Sequence, residues 1–154
     1  MENPAILADY QLLMIPGGFS YGDDVSAGKI LANQIIHHLA EPMNRFVEVC
    51  NGFQVLLKSG LLPWGRVDIT AANRDATLAW NVSGRFVDRW VPLRVDSDKC
   101  VFIKKGERFM LPVAHGEGRF TIRDDDVLEK IRANGQVAIR YDGDNPNGSV
   151  DDIA

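Results

Sequence analysis

Two segments of the chain follow the same order: a short apolar run, a tight junction, and then a helical pattern. The first run, Leu12 to Ile15, is closed by Pro16, Gly17 and Gly18. A short, unbroken apolar stretch that ends this way is typical of a strand buried on both faces. Apolar residues then recur at the spacing of a helix that begins near Asp24, at Ile30, Leu31, Ile35 and Leu39.

The second segment has a cysteine at its junction. A mostly apolar run at 46–49 precedes Cys50, and residues 53–57 carry the spacing of a short helix that Gly60 ends. A thiol at the first turn of a helix lies near the positive end of the helix dipole, which lowers its pKa. A strand-to-helix elbow also presents the next backbone N–H to a developing oxyanion. Cys50 is therefore either a nucleophile or a small buried residue, since free cysteine is often buried.

The second half of the chain is richer in strand-forming residues. Residues 77–95 carry β-branched and aromatic side chains with a turn at Ser83-Gly84, and the segment RFMLPVAHGEGRF predicts a strand that leads into a glycine-rich turn. The remaining predicted elements are a helix between Asp124 and Gly135, a strand in QVAIRY, and a tail of turn residues with little to bury. Alternating strands and helices indicate an α/β fold with a mainly parallel sheet.

Composition narrows the possible functions. No apolar run approaches the roughly 20 residues of a membrane helix, and a net charge of −4 argues against a nucleic-acid surface. Two cysteines and the absence of a secretory leader favour a cytoplasmic protein without a disulfide framework. The Asn-x-Ser patterns at Asn81 and Asn147 then carry no weight as glycosylation sites. We expect a small-molecule or protein partner, and neither a membrane nor a nucleic acid.

The sequence also contains partial matches to a phosphate-binding loop and to a metal site, and both depart from the required pattern. The segment GDDVSAGKI has five residues rather than four between Gly22 and Gly28, so it departs from a phosphate-binding loop. His37 and His38 are adjacent, and on a helix their side chains diverge by about 100°, so we expect no metal site. Cys100 precedes an apolar stretch and is interpreted as a small core residue.

Four segments, taken in order, resemble the glutaminase component of phosphoribosylformylglycinamidine synthase, a class I glutamine amidotransferase: IPGGFSYGDDVSAGKILANQ, VCNGFQVLLKSGLLP, LPVAHGEGRF and NPNGSVDDIA. The resemblance implies a flavodoxin-like α/β fold with a β-rich insert. It also implies a cysteine that attacks the side-chain amide of glutamine, forms a γ-glutamyl thioester and releases ammonia. An ATP- and magnesium-dependent synthetase subunit or domain of the same complex would use that ammonia in purine biosynthesis. No cofactor is implied in this chain.

The resemblance also assigns residues. Cys50 matches the nucleophile, and the N–H of Asn51 with Gly17 and Gly18 matches the oxyanion hole. Gln54 matches a position that contacts the bound glutamine.

His115 and Glu117, in AHGEGR, are expected to line the same substrate site. The family's catalytic His and Glu belong to a separate motif beyond NGSVDDIA, and this chain stops before it. His115 is therefore either a substitute base or a loop histidine that supports the glutamine site or the partner interface.

The sequence departs from the family pattern in three places. We expect a single amidotransferase domain over residues 1–154 that lacks the first strand-helix unit and the C-terminal segment. The segment before the nucleophile is shorter than the family norm, and Glu48 stands at the usual glycine position. Two hypotheses follow: the chain is part of a working glutaminase, or it is an inactive fragment or docking module.

Overall fold

The computed structural model of the chain describes residues 13–15, 46–48, 51–65 and 75–154, with side chains described from residue 52 onwards. The chain divides into two compact units, residues 1–74 and residues 75–154. Three of the predicted site residues, Gly17, Gly18 and Cys50, lie outside the described residues, as does the helix predicted after Asp24.

The first unit contains a parallel strand pair and a helix. Strand β1 (Leu13–Ile15) pairs in parallel with β2 (Phe46–Glu48), and Ile15 lies in register with Glu48. Helix α1 (Asn51–Ser59) begins after a two-residue link. It ends at Gly60, whose φ of 78° is the left-handed conformation that glycine adopts without strain, and whose N–H donates to the Leu57 carbonyl. The predicted strand-to-helix order and the glycine stop are confirmed here.

Among the residues described, the second unit is built from antiparallel strands and one α-helix. Helix α2 (Asp125–Ala133) begins after Asp124, whose carboxylate accepts a hydrogen bond of 3.0 Å from the Val127 N–H. The described elements of the second unit, in chain order, are β3 (Ala76–Ala79), β4 (Val87–Val95), β5 (Arg108–His115), β6 (Arg119–Ile122), α2, β7 (Ile139–Tyr141) and a 3-10 turn (Val150–Asp152).

These strands form two sheets. Strand β3 pairs with β6, and β4 lies between β5 and β7. One face of the three-stranded sheet forms a core around Val91, Leu93 and Tyr141. The predicted α/β class is confirmed, whereas the flavodoxin-like arrangement, the mainly parallel sheet and the single domain stay predictions.

Two local expectations were wrong. Cys100 is half-buried in the loop between β4 and β5 rather than in the core, and the next residue, Val101, is 88% exposed. The C-terminal tail buries Asn147, Ser149 and Ile153, although turn residues of this kind had suggested little burial. Neither helix in the described part of the chain has the length and apolar character that crossing a membrane requires.

Candidate active site

The strand-to-helix elbow carries the first group of predicted site residues. Strand β2 ends at Glu48 and helix α1 starts at Asn51, so only Val49 and Cys50 connect them. A link of two residues is compatible with the predicted nucleophile elbow, which stays a prediction because the link lies outside the described residues. The backbone N–H of Asn51 belongs to the first turn of α1, where amide groups have no partner within the helix.

Helix α1 carries the predicted substrate contact Gln54 in a buried position. Gln54 is 8% exposed, and its neighbours along the helix, Val55, Leu56 and Leu57, are buried as well. Lys58 and Ser59 complete a run of six buried residues, so α1 is covered on all sides rather than along one stripe. A buried polar side chain one turn from the start of the helix is rigidly held, which suits a substrate contact.

The turn between β5 and β6, residues 115–118, carries the second group of predicted site residues. Strand β5 ends at His115, and β6 begins at Arg119. The imidazole of His115 packs directly on the Gly118 backbone, because a Cβ at position 118 would lie 2.3 Å from His115 Nδ1. The third predicted residue of the turn, Glu117, is half-buried.

Asn81 holds this turn from the loop after β3. Its Nδ2 group donates to the carbonyl oxygens of Arg85 at 2.8 Å and His115 at 2.9 Å. Its Oδ1 lies 3.1 Å from His115 Nδ1 and accepts from the Gly118 N–H at 3.4 Å. The Asn81 backbone N–H also donates to the Gly116 carbonyl at 2.8 Å.

These contacts fix the tautomer of His115. Two carbonyl oxygens require a donor, so they orient the Asn81 amide with its NH₂ group toward them. The Asn81 oxygen then faces His115 Nδ1, and because an amide oxygen only accepts, Nδ1 carries the proton. In the neutral ring Nε2 is left with a free lone pair. Burial lowers the pKa of His115 below 6.5, only partly offset by a backbone hydrogen bond, so the neutral form dominates at pH 7.

Asn147 holds the same turn from the C-terminal segment. Its Nδ2 group donates to the Gly118 carbonyl at 2.7 Å and to the Tyr141 hydroxyl at 3.0 Å. Its Oδ1 accepts from the Ser149 N–H at 2.9 Å and from the Ser149 hydroxyl at 2.7 Å. The Ser149 hydroxyl also accepts from the Phe120 N–H, the second residue of β6. The turn is thus held by two buried asparagines from distant parts of the chain.

The predicted site residues fall into two groups. Asn51 and Gln54 lie on α1 in the first unit, whereas His115 and Glu117 share one turn of the second. The residues that sequence reasoning missed are Asn81 and Asn147. Both match the Asn-x-Ser pattern, and Asn147 also lies in NPNGSVDDIA, where an asparagine between proline and glycine usually indicates an exposed turn.

Comparisons with known proteins agree with the motifs. The family model of the CobB/CobQ-like glutamine amidotransferase domain matches residues 1–154. The phosphoribosylformylglycinamidine synthase subunit PurQ of Dehalococcoides mccartyi is 40% identical over 169 residues, covering 100% of this chain and 64% of the relative. The protein of the same name from Trichormus variabilis is 42% identical over 156 residues, covering 96% of this chain and 63% of the relative.

A solved structure is similar as well. A chain in the structure of PurLQS from Thermotoga maritima matches with a TM-score of 0.68 and 34% identity, over 95% of this chain and 62% of that one. The chain therefore spans less than two thirds of the length of these relatives. The resemblance seen in the sequence is confirmed, and the chain belongs to the CobB/CobQ-like glutamine amidotransferase domain family.

Proposed function

We propose that this chain is the glutaminase part of a phosphoribosylformylglycinamidine synthase, which releases ammonia from glutamine for purine biosynthesis in the cytoplasm. The family membership supports a glutamine amidotransferase, and the relatives that carry the synthase name support the choice of pathway. The proposed architecture of the whole domain is a flavodoxin-like, mainly parallel sheet.

The observation that carries the proposal is the register of the parallel strands. Parallel neighbours end at the same edge of a sheet, and that edge is where α/β proteins bind their ligands. Ile15 and Glu48 are in register at the ends of β1 and β2. Gly17 follows the first strand by two residues, and Cys50 follows the second by two residues. In sequence, the glycine pair and the cysteine therefore directly follow two strand ends that lie at one edge of the sheet.

The proposed reaction begins at this edge. The Cys50 thiolate attacks the side-chain carboxamide carbon of glutamine, and a C–S bond forms while the carbonyl oxygen becomes an oxyanion. The N–H groups of Asn51, Gly17 and Gly18 donate hydrogen bonds to that oxyanion. The C–N bond then breaks, the amide nitrogen takes up a proton and leaves as ammonia, and water hydrolyses the γ-glutamyl thioester to glutamate.

The turn at residues 115–118 supplies acceptors for the substrate. His115 is neutral and its Nε2 has a free lone pair, so it accepts a hydrogen bond rather than donating one. Glu117 adds a carboxylate from the same turn. Two acceptors suit the α-ammonium group of glutamine, and we assign His115, Glu117 and Gln54 to substrate binding. The same lone pair is what a base for the Cys50 thiol would need.

The ammonia requires an acceptor protein. We assign that role to a synthetase subunit or domain of the same complex, where ATP and magnesium activate the second substrate. This chain then needs no cofactor of its own, because thioester chemistry uses only side chains and water.

The test is an assay of glutamate and ammonia. The purified chain is incubated with glutamine, alone and with the synthetase partner. We expect release that Cys50→Ala abolishes, because the thioester cannot form. Cys100→Ala is the matched control, since Cys100 lies in the loop between β4 and β5 of the second unit. Release that survives Cys50→Ala would contradict the proposal. Absence of release even with the partner would favour an inactive docking module.

A further inference from the structure

The hairpin of β4 and β5 has two faces of unusual composition. Along β4 the odd-numbered residues Val91, Leu93 and Val95 are buried, so the even-numbered residues point the other way. We call this second surface the outer face. Its members are Phe86, Asp88, Trp90 and Pro92 from β4 and the residue before it, and Met110, Pro112 and Ala114 from β5, all of them exposed.

The outer face is apolar along most of its length. Trp90 is in register with Pro112, and Pro92 is in register with Met110. Trp90 is 64% exposed and Met110 is 53% exposed. An antiparallel sheet that meets water on one side normally alternates between apolar residues inside and polar residues outside. This hairpin is apolar on both sides, which is typical of a protein interaction surface.

Aromatic side chains extend the outer face past the end of β4. A Cβ at Gly116 would lie 3.2 Å from the Trp80 ring and 3.9 Å from the Phe86 ring, so both rings stand over this glycine. Both side chains are more than half exposed. Large exposed aromatics close together are the residue type that most often anchors a protein interface.

Charges lie at the two ends of this apolar surface. Asp88 lies near one end and makes no ion pair with any residue in the described ranges. Arg94 and Arg108 are in register at the other end and both contact Asp142. The Arg108 side chain remains 73% exposed.

We infer that the outer face binds the same face of a second copy of this chain, in a dimer with two-fold symmetry. Asp88 and Arg94 are six positions apart, or about 20 Å along an extended strand, and Val91 lies midway between them. A two-fold axis through that midpoint puts Asp88 of each copy over Arg94 and Arg108 of the other. It also packs Trp90 of each copy against Pro92 and Met110 of the other.

Charge complementarity is what selects a second copy as the occupant. A carboxylate covered by an apolar surface is costly unless a cation pairs with it. In this arrangement Arg94 and Arg108 of each copy pair with Asp88 of the other. The pairing is reciprocal, as a two-fold interface between identical surfaces requires. A hairpin face about 30 Å long lies at the small end of specific interfaces, so the dimer dissociates readily on dilution.

The test measures self-association by analytical ultracentrifugation of the full chain over a range of concentrations. Asp88→Arg and Arg108→Asp should each raise the dimer Kd by about tenfold or more, because like charges then face each other. The double variant D88R/R108D restores one opposite-charge pair across the axis, although Arg94 still faces the new arginine, so its Kd should be clearly lower than that of either single variant. Trp90→Ser should weaken the dimer at least as much as either charge reversal.

Val101→Ser is the matched control, since Val101 is an exposed apolar residue on the loop between the two strands and outside the outer face. It should leave the Kd unchanged. Circular dichroism and thermal unfolding of each variant confirm that the second unit is folded. A parent chain that stays monomeric at every concentration overturns the inference. So does a dimer that the charge reversals leave intact, or a double variant as weak as its singles.

Discussion

The elbow of the first unit and the turn of the second are built in opposite ways. The elbow uses consecutive residues, since β2, its two-residue link and α1 follow one another from Phe46 to Ser59. The turn at 115–118 is held by Asn81, 34 and 37 positions away along the chain, and by Asn147, 29 positions away. A local element depends mainly on its own propensities, whereas a turn held by remote side chains depends on each of them. Substitutions that remove contacts of the turn should therefore lower the free energy of unfolding more than substitutions at the elbow.

The largest effect is expected at Asn147. This side chain is 1% exposed, donates to Gly118 and Tyr141, and accepts twice from Ser149. Asn147→Ala removes every one of these partners and leaves buried polar groups unsatisfied, at about 1–3 kcal/mol for each group. We expect the free energy of unfolding to fall by about 3 kcal/mol, measured by urea denaturation.

Asn134→Ala is the control for that measurement. Asn134 is also an asparagine in a non-strand segment, but its side chain is exposed and, within the described residues, its hydrogen-bond partner is Gln136. Its loss should change the free energy of unfolding by about 0.5 kcal/mol or less. Equal effects at the two positions would mean that the remote hydrogen bonds do not hold the turn.

A smaller loss is expected at Gly118. The added methyl group of Gly118→Ala would lie 2.3 Å from the His115 ring, so the ring must move and give up its contact with Asn81. Forced repacking of this kind costs about 2 kcal/mol. Gly116→Ala is the matched variant in the same turn, because its methyl group meets only exposed aromatic rings that can shift. Thermal unfolding should show a clearly larger loss of stability for Gly118→Ala than for Gly116→Ala. Similar losses in the two variants would contradict the packing described for His115.

The same contrast explains which parts of the structure could be predicted. The short apolar runs, the glycine after α1 and the helix start at Asp124 depend on a few neighbouring residues, so their patterns are readable in sequence, and the structure confirms them. The apolar stripe of α2 was readable for the same reason. Family motifs added the predicted roles of Cys50 and its neighbours, which spacing alone left undecided between nucleophile and buried residue.

The hydrogen bonds of the turn were beyond sequence reasoning. Asn81 and Asn147 both matched a glycosylation pattern, and nothing local tells a buried asparagine from an exposed one. The tail became buried because Ser149 and Asn147 bond to each other and to β6, and these partners lie far away in the chain. The error at Cys100 is the opposite one: the apolar residues after it suggested a buried position, but they lie in an exposed loop.

The elbow makes its own prediction, which concerns reactivity rather than stability. Cys50 directly precedes α1 in sequence, so the positive end of the helix should raise its thiolate fraction near neutral pH. Iodoacetamide should then alkylate Cys50 about tenfold faster than Cys100, as followed by mass spectrometry of the two peptides. Cys100 is a fair reference because it is half-buried rather than sealed in a core. Equal or reversed rates would count against an activated elbow.

The smallest effect is expected from the titration of His115. Burial lowers its pKa below the ordinary value of 6.5. In the pH range between the two values the unfolded chain binds a proton that the folded chain does not, so stability falls as the pH drops from 6.5 toward the folded pKa. His115→Gln removes this contribution and keeps a side-chain donor for Asn81. The free energy of unfolding, measured by urea denaturation between about pH 5 and 7.5, should depend less on pH in the variant. The difference from the parent over this range should be less than about 1 kcal/mol. Because every other titratable group is common to both proteins, the difference between the two profiles reports on His115, and parallel profiles would mean that its ring is not held in the neutral form.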